Sequence, residues 1–316
     1  MTLKKRDGKV IILANQKGGV GKTTTTSMIC NIITTPTFNK KVLLIDWDLQ
    51  RNSTILAGKT YGTNFPQSVM KSAFEGDLRN GIVSLNENFD FIAGEKDTRI
   101  FSDNLVEMYP KGSKNYIYNR TFYFKKLLDE IRYNYDYVFI DVPPSTDLKV
   151  DNLMVCADYT VIVQETQPFS YEGSVDIVFE YLATLAEDFG SEVNFEVAGV
   201  LPVLLQTQST LHGKIVQKTY DKFGRQFTFS TNIKNYQRLQ LYAENGIEVI
   251  DYHDRRVFAV FADVFTELEE RIKLFDAEGG IPDDYIYKPM YLIDNKLTKL
   301  AKKMNLDMFI PEDYKN

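Results

Sequence analysis

Residues 15–26, NQKGGVGKTTTT, decide the fold of this chain. They follow an apolar run, KVIILA at 9–14, and precede SMICNII at 27–33, whose apolar residues recur at helical spacing. A glycine-rich turn between a strand and a helix is typical of a phosphate-binding loop, because glycines let backbone N–H groups curl around a phosphate. The helix N-terminus adds its dipole, Lys22 supplies a cation for the β and γ phosphates, and the Thr23 hydroxyl can ligate Mg²⁺.

This loop departs from the usual phosphate-binding pattern in two ways. Gln16 stands where G-x-x-x-x-G-K-[ST] has its first glycine, and a second lysine, Lys17, precedes the glycine pair. The predicted nucleotide-binding residues of the loop are Lys17, Gly18, Gly19, Val20, Gly21, Lys22, Thr23 and Thr24.

Acidic residues end two further apolar runs. VLLIDWD at 42–48 and YVFID at 137–141 place Asp46, Asp48 and Asp141 at strand ends. In an open parallel sheet the ligand lies at the carboxyl ends of the strands, so these acids are expected beside the phosphate loop. A carboxylate in that place can hold Mg²⁺ through water, and Asp141 is the candidate for this role.

The composition excludes several classes of protein. The chain has 316 residues, of which 44 % are hydrophobic and 25 % charged, with a net charge of −6, so it can bury a large core. No apolar run approaches the roughly 18 to 20 residues that span a bilayer, and the N-terminus does not read as a secretory signal, so we expect a cytoplasmic protein. Cys30 and Cys156 lie far apart and only two histidines are present, which argues for buried thiols and against disulfide or zinc sites.

Short apolar runs alternate with helical patterns along the chain. The predicted strands are Val10–Ala14, Val42–Asp46, Phe89–Ala93, Tyr137–Val142, Thr160–Gln164 and Val197–Leu201. This alternation predicts an α/β fold, a mostly parallel twisted sheet flanked by helices, with residues 1–275 as one domain. Residues 95–119 are predicted to be an irregular insertion. Residues 276–316 are predicted to be a C-terminal extension in which YLIDNKLTKLAKKM, at 291–304, forms a basic amphipathic helix.

The sequence KGGVGKTT at 17–24 resembles the deviant phosphate loop of the ParA/MinD family of dimerising ATPases, and the preceding NQ resembles its partition-protein version. The resemblance implies a P-loop NTPase fold with a deviant Walker A loop, ATP and Mg²⁺ as cofactors, and a homodimer that encloses two nucleotides. In that family the extra lysine reaches the phosphates of the partner's ATP. Lys17 would then act like an arginine finger, which is worth roughly 10³ to 10⁵ in rate in related systems.

The stretch VLLIDWDLQRNST at 42–54 extends the resemblance. It is similar to the family's D-x-D-P-Q-G-N-[AS]-T, with Leu49 and Arg51 in place of proline and glycine. By resemblance Asp46 positions the attacking water and contacts the Mg²⁺ shell, while Asp48 orders the turn. The implied catalytic residues are Lys17, Lys22 and Asp46, and the implied metal ligands are Thr23, Asp46 and Asp141.

The last hundred residues of the domain resemble the family more loosely. VAGVLPVLLQTQST at 197–210 takes the place of the strand that leads toward the adenine, which makes Pro202 and Val203 candidate base contacts. A second stretch, NYQRLQLYAENG at 235–246, aligns with a stretch of the family that has an arginine at the position of Arg238.

A basic stretch at 212–238 is the candidate DNA-binding surface. Its cations are Lys214, Lys218, Lys222, Arg225, Lys234 and Arg238, against the single acid Asp221. The three lysines from 214 to 222 share one helix face, and the opposite, buried face is predicted to comprise Leu211, Ile215, Thr219 and Phe223. A solvated helix face explains this pattern without a function. By resemblance to small partition-type relatives, these cations bind DNA non-specifically through its phosphates.

The resemblance implies a partition ATPase of the small, Soj-like type. Such a protein would dimerise on Mg·ATP, associate with the nucleoid and respond to a ParB-like, centromere-bound partner that stimulates slow hydrolysis. The alternative is a MinD-like positioning ATPase whose basic C-terminal helix binds an anionic membrane. Membrane binding is disfavoured, because the predicted helix has no Trp or Phe anchor and is followed by the acidic PEDYKN at 311–316. A tyrosine-kinase relative is disfavoured because the 19 tyrosines are scattered along the chain.

Overall fold

The structure is a computed structural model in which residues 5–96, 99–206 and 209–291 are described. The strands within these ranges are β1 (Lys9–Ala14), β2 (Val42–Asp46), β3 (Ile82–Asn86), β4 (Phe89–Ile92), β5 (Tyr137–Asp141), β6 (Tyr159–Glu165) and β7 (Glu196–Val203). They form one sheet in the order β3-β4-β2-β5-β1-β6-β7. Every neighbouring pair is parallel except β3 and β4. The predicted α/β class and the mostly parallel sheet are confirmed.

Helices cover both faces of the sheet. Those of the described residues are α1 (Lys22–Ile33), α2 (Asn52–Tyr61), α3 (Val69–Phe74), α4 (Arg99–Met108), α5 (Tyr116–Thr121), α6 (Tyr123–Asp129), α7 (Leu148–Met154), α8 (Pro168–Asp176), α9 (Ala183–Phe189), α10 (Thr210–Phe223), α11 (Gln237–Asn245) and α12 (Tyr252–Glu278). A π-helical segment, Ile177–Leu182, joins α8 to α9. Because side chains alternate along a strand, Ile11 and Leu13 of β1 pack with α1 and α12, while Val10 and Ile12 pack with α6 and α7.

The edge strand β3 is absent from the prediction made from sequence. Its residues are half-buried or exposed, whereas β2 and β5 are buried throughout. An edge strand with one solvated side carries fewer of the apolar residues that mark a central strand. The continuous apolar run that predicts the other strands is therefore weak in β3.

The stretch 95–119 was predicted to be irregular, and the structure corrects this. It contains α4 and α5, and Phe101 of α4 is fully buried. Phe101 packs edge-on against Trp47, with the ring centroids 5.0 Å apart. Pro110 and Gly112 separate the two helices and interrupt the helical pattern in the sequence.

A buried ion pair on α12 fixes the loop that follows α10. Arg271 and Glu267 are fully buried, and their charged groups lie 3.0 Å apart. The guanidinium also donates to three backbone carbonyls, one on β7 and two in the loop 224–231. The carboxylate accepts from two amides of the same loop. Both charges are thus paired and hydrogen-bonded inside the protein, although burial still raises the pKa of Glu267.

The predicted C-terminal extension is described as far as Tyr291. Residues 279–291 pack back onto α12, where the Tyr287 hydroxyl donates to Asp263 at 2.8 Å. The predicted amphipathic helix at 291–304 lies, from residue 292 on, outside the described residues. Within the described ranges no helix has the length and apolar character to cross a bilayer. Both cysteines are buried, as predicted.

Candidate functional site

The phosphate loop between β1 and α1 has a backbone that requires its glycines. Gly19 and Gly21 have φ angles of 77° and 88°, which other residues rarely adopt. Asn15, buried at the end of β1, anchors the loop: its amide group donates to a β6 carbonyl at 2.8 Å, and its oxygen accepts from the Lys17 amide at 2.8 Å. Residues 18–24 line a cavity of about 500 Å³. The structure therefore brings the predicted loop residues, apart from Lys17, to one cavity.

Lys22 is buried at the start of α1. Its ammonium donates to the carbonyls of Asn15 at 3.0 Å and Lys17 at 3.3 Å. Burial lowers the pKa of Lys22, and the nearby carboxylates of Asp141 and Asp48 act in the opposite direction. These carbonyls hold the Lys22 ammonium beside the cavity, where it is well placed to contact a phosphate.

Thr23 and Asp141 form the candidate magnesium site. The Thr23 hydroxyl donates to Asp141 Oδ1 at 3.1 Å, and the Ser53 hydroxyl donates to Asp141 Oδ2 at 2.8 Å. Asp141 ends β5 beside β1, so the strand register carries it to the phosphate loop. Hydroxyl and carboxylate oxygens are the ligands that Mg²⁺ prefers, with water and phosphate oxygens to complete its shell. The residues present therefore fit this ion.

Asp46 lies beneath the cavity wall. Its carboxylate is fully buried and accepts three hydrogen bonds, from the Asp48 amide at 3.0 Å and from the amide and hydroxyl of Thr54 at 2.8 and 2.7 Å. Gly94 covers the carboxylate so closely that a Cβ at this glycine would lie 3.0 Å from Asp46 Cγ. Asp46 is fully buried behind these donors and does not line the cavity, where an attacking water would stand. The geometry thus disfavours the predicted catalytic role of Asp46.

Asp48 is the acid of this strand end that lines the cavity. Its carboxylate also orders the turn by accepting from the Gln50 amide at 3.0 Å, as the sequence predicts. Asp48 follows β2 by two residues, after the chain has left the sheet. The sequence thus predicts the place of Asp48 beside the phosphate loop, but by resemblance it assigns to Asp48 only the ordering of the turn.

Arg51 keeps a loop geometry that glycine would favour. It precedes α2 with a φ of 53°, in the left-handed region that non-glycine residues rarely occupy. The replacement of the family's glycine by Arg51 therefore leaves the path of the turn intact, at some cost in backbone strain.

Asp46 and Asp141 form a buried pair of like charges. They are direct neighbours in the register of β2 and β5. Burial raises the pKa of Asp46 to about 6 and that of Asp141 to about 7, and the charge of Asp46 contributes to the shift at Asp141. Neither carboxylate forms an ion pair with a lysine or arginine of the described residues. A bound divalent cation would relieve this imbalance.

Residues that follow β5 also line the cavity. Their polar members are Ser145, Asp147 and Lys149. In the sequence, the stretch PPSTD at 143–147 follows Asp141 and carries no pattern that predicts a role for these side chains. Whether these residues share a cavity with the loop depends on the tertiary fold, which no local pattern reveals.

Lys17 is the loop residue that the structure directs away from the cavity. Its ammonium lies 3.4 Å from Glu165 Oε2 at the end of β6, and 33 % of the side chain is exposed. The two lysines of the loop are therefore separated: Lys22 faces the subunit's own cavity and Lys17 faces its surface.

Pro202 and Val203, the predicted base contacts, are buried at the end of β7. The Pro202 carbonyl accepts from the Ile233 amide at 3.0 Å, and the Val203 carbonyl accepts from the Thr166 amide at 3.2 Å. Neither residue lines the cavity, so the structure does not bring them to the nucleotide site.

Helix α10 presents its three lysines to solvent. Lys214, Lys218 and Lys222 are exposed, as predicted. The ammonium groups of Lys218 and Lys222 lie 5.8 and 4.6 Å from the ring centroids of Tyr171 and Phe179. This face joins positive charge to aromatic surface.

The first turn of α10 corrects one prediction. Leu211 was expected on the buried face but is 48 % exposed, while His212 is buried. The His212 ring is hydrogen-bonded to the Thr166 hydroxyl and accepts from the Gln206 amide at 3.3 Å. These polar contacts turn His212 inward and Leu211 outward.

The remaining cations of the basic stretch differ in availability. Arg225 and Lys234 are exposed. Arg238 forms an ion pair with Asp251 and lies 3.6 Å from Asp254, and both acids belong to the capping box of α12. Arg238 therefore joins α11 to α12 and is a weaker candidate for DNA than the exposed cations.

The chain is similar to known nucleotide-binding proteins in sequence. A family model described as an AAA domain, AAA_31, matches residues 8–195. The sporulation initiation inhibitor protein Soj of Bacillus subtilis is 29 % identical over 270 residues, which cover 83 % of this chain and 98 % of that protein. The chromosome-partitioning ATPase Soj of Treponema pallidum is 26 % identical, over 78 % of this chain and 90 % of its own.

The fold is also similar to that of solved structures. A variant of McdA from Cyanothece in complex with ATP aligns with a TM-score of 0.69 and 20 % identity. The alignment covers 83 % of this chain and 96 % of the McdA chain. At this identity the likeness shows a shared fold alone.

Proposed function

Since the chain belongs to the AAA_31 family of AAA domains, as a P-loop ATPase of the ParA/MinD type, we propose that it is a partition ATPase. It would dimerise on Mg·ATP, bind nucleoid DNA without sequence preference and hydrolyse ATP slowly until a ParB-like adaptor stimulates it. The observation that carries the proposal is the separation of two loop lysines, with Lys22 at the subunit's own cavity and Lys17 on its surface.

The cavity residues divide the work of ATP hydrolysis. The amides of residues 18–24 and the Lys22 ammonium bind the phosphates. Thr23 and Asp141 hold Mg²⁺, which when bound neutralises charge on the phosphates. Asp48, on the cavity wall, is the carboxylate that can orient the attacking water. In this proposal Asp46 is a buried support that orders the turn through the Asp48 amide.

Lys17 accounts for dimerisation in the proposal. Without a partner its ammonium rests on Glu165, in a half-exposed ion pair that contributes little to stability. In a face-to-face dimer, Lys17 would exchange Glu165 for the phosphates of the partner's ATP. The attraction depends on the nucleotide's negative charge, so ATP would drive the two subunits together and hydrolysis would weaken them.

The exposed cations of α10 and of the loop after it are the proposed DNA contacts. Lys214, Lys218, Lys222, Arg225 and Lys234 are available to phosphates. The relative from Treponema pallidum bears the name of a chromosome-partitioning ATPase, which is compatible with DNA as the cargo. A dimer doubles the number of these cations on one particle, so DNA binding would depend on nucleotide through dimerisation.

The proposal can be tested by measuring mass and DNA binding in three nucleotide states. Light scattering with Mg·AMPPNP, Mg·ADP and no nucleotide should give a dimer with AMPPNP alone. Binding to a random-sequence duplex should follow the dimer and fall steeply between about 50 and 200 mM salt. Lys22→Ala should lose nucleotide binding, whereas Lys17→Ala should bind nucleotide and remain monomeric. A wild-type protein that stays monomeric with AMPPNP, or binds DNA equally in all three states, would contradict the proposal.

A further inference from the structure

Lys149 lines the same cavity as the phosphate loop. Among the lysines of the described residues, only Lys22 and Lys149 are buried, with 6 % and 9 % of their surfaces exposed. Both line this cavity. Because lysine is almost never buried unless its charge is paired, two buried lysines from separate segments of the chain at one cavity indicate an anion in that cavity.

The present partner of Lys149 is a poor counter-charge. The ammonium lies 3.3 Å from Asp147 Oδ2, and the Asp147 side chain is 43 % exposed. Asp147 caps α7, and its Oδ1 accepts from the amides of Lys149 and Val150. An ion pair whose carboxylate is solvated contributes little, whereas an ammonium bound to a phosphate oxygen in the cavity forms a stronger, charge-assisted hydrogen bond.

A second polar group that lines this cavity has no partner. The Ser145 hydroxyl is buried and forms no hydrogen bond within the part of the chain that the structure describes. Buried polar groups are rarely left unpaired in native proteins, and an exception calls for a water or a ligand. Ser145 and Lys149 thus offer a hydroxyl and an ammonium to the same cavity.

We propose that Lys149 is a ligand of the terminal phosphate and gives the site its preference for ATP over ADP. The inference rests on the proposed function and adds a second cation to its site. The loop amides surround the inner phosphates, so a cation from another segment of the cavity meets the phosphate that projects farthest from the loop. On binding, the ammonium exchanges Asp147 for a γ-phosphate oxygen, and the Ser145 hydroxyl donates to the same group.

The test is the affinity of Lys149→Met for AMPPNP and for ADP, each with Mg²⁺, by isothermal titration calorimetry. AMPPNP should bind at least about tenfold more weakly than to the wild type, because one charge-assisted contact is lost. ADP should bind within about twofold of the wild-type value. Lys149→Arg, which keeps the charge, should recover most of the AMPPNP affinity. Unchanged AMPPNP affinity in Lys149→Met, or an equal loss for both nucleotides, would overturn the proposal.

Asp147→Asn separates a phosphate ligand from a mere structural ion pair. Asparagine retains the helix cap but removes the competing charge, so AMPPNP should bind as tightly as to the wild type or more tightly. If Lys149 only paired Asp147, both variants would weaken binding alike. Lys126→Met, at an exposed lysine on α6, is the matched control and should bind both nucleotides as the wild type does.

The Lys17→Ala background distinguishes the subunit's own phosphate from the partner's. There the protein is expected to stay monomeric, and the AMPPNP loss from Lys149→Met should persist. If Lys149→Met no longer weakens AMPPNP binding in that background, Lys149 contacts the partner's nucleotide, and its assignment to the subunit's own phosphate is wrong. A wild-type protein that binds neither nucleotide would instead overturn the nucleotide site itself, which is a different result.

Discussion

Two clusters of buried charge in this protein differ in how their charges are balanced. On α12, Arg271 and Glu267 lie 3.0 Å apart, and backbone carbonyls and amides complete their hydrogen bonds. At the ends of β2 and β5, Asp46 and Asp141 are neighbours of the same sign. Hydroxyls and amides bind these two acids, but no lysine or arginine of the described residues forms a salt bridge with either. Burial raises the pKa of each, as it does for Glu267, and only Glu267 has a cation as its partner.

The difference separates a structural charge from a functional one. A buried ion pair whose hydrogen bonds are all made within the protein has no group available to bind a ligand. The Arg271–Glu267 pair is of this kind, and it holds the loop 224–231 against the sheet. A buried pair of acids is incomplete, and its unfavourable energy is relieved when a cation binds. The balance of charge, and not burial alone, therefore identifies the site.

Arg271→Met should have the largest effect on stability. The substitution conserves most of the volume but leaves Glu267 as an unpaired buried charge, which costs about 3 to 5 kcal/mol in the free energy of unfolding. Chemical denaturation measures this loss. Lys273→Met, at an exposed lysine that pairs with Glu269 on the same helix, should stay within about 0.5 kcal/mol of the wild type. Equal effects of the two substitutions would show that the buried pair is not the structural element described here.

Asp48→Asn should reduce the rate of ATP hydrolysis. Among substitutions that remove one carboxylate and leave the protein folded, it should have the largest effect on this rate. Loss of a group that orients the attacking water lowers the rate by on the order of a hundredfold or more, while AMPPNP binding should remain. Single-turnover hydrolysis measures the change. Asp46→Asn is the contrasting variant: its amide would face the Thr54 amide, so it should lose stability. If Asp46→Asn abolished turnover while keeping wild-type stability, and Asp48→Asn did not, the assignment would revert to Asp46.

The phosphate side of the cavity was predictable because its chemistry is local in the sequence. Residues 15–26 fix the order of strand, turn and helix, and with it the places of Lys22 and Thr23. Asp141 follows from one rule, that an acid at the end of a central strand reaches the ligand edge. The choice between Asp46 and Asp48 did not follow, since it depends on the residue at which β2 ends.

The remaining features depend on contacts between segments that are distant in sequence. Lys149 shares a cavity with the phosphate loop only because β5 lies beside β1. Helix α4 is held by Phe101 against Trp47, and His212 turns inward to meet Thr166. None of these partners can be read from a local pattern of apolar and polar residues, so the sequence left them undetermined.

Asp141→Asn should remove the part of the pH dependence of stability that Asp141 imposes. Because the pKa of Asp141 is about 7 in the folded protein and about 3.9 when unfolded, the folded state holds more protons between these values. Stability from this group is therefore lost as the pH rises through that window. Without Mg²⁺ or nucleotide, the stability of the variant relative to the wild type should rise by about 2 to 3 kcal/mol between pH 5 and pH 8.

Thermal unfolding of both proteins from pH 5 to 8, in the presence of a chelator, checks this prediction. The hydroxyls of Thr23 and Ser53 can turn to accept from the new amide group, so the variant should fold. Mg·AMPPNP should stabilise the wild type at pH 8 and the variant much less. A difference in stability that does not change with pH would mean that the acid pair is already balanced, and the contrast with Arg271 and Glu267 would fail.

Lys218→Gln tests the smallest effect, and it extends the comparison to charges on the surface. No carboxylate of the described residues forms a salt bridge with Lys218. Water nevertheless solvates its ammonium, so a single contact with a ligand adds little binding free energy. In this Lys218 differs from the buried acids. If it binds one DNA phosphate, its loss should weaken binding only a few-fold and lower the slope of log K against log salt by about one. Lys126→Gln, at an exposed lysine on α6, should leave both quantities unchanged. If the variant has the wild-type slope, this face of α10 is solvated and does not bind DNA. The slope is decisive because release of a counterion changes the salt dependence of binding even when the change in affinity is small.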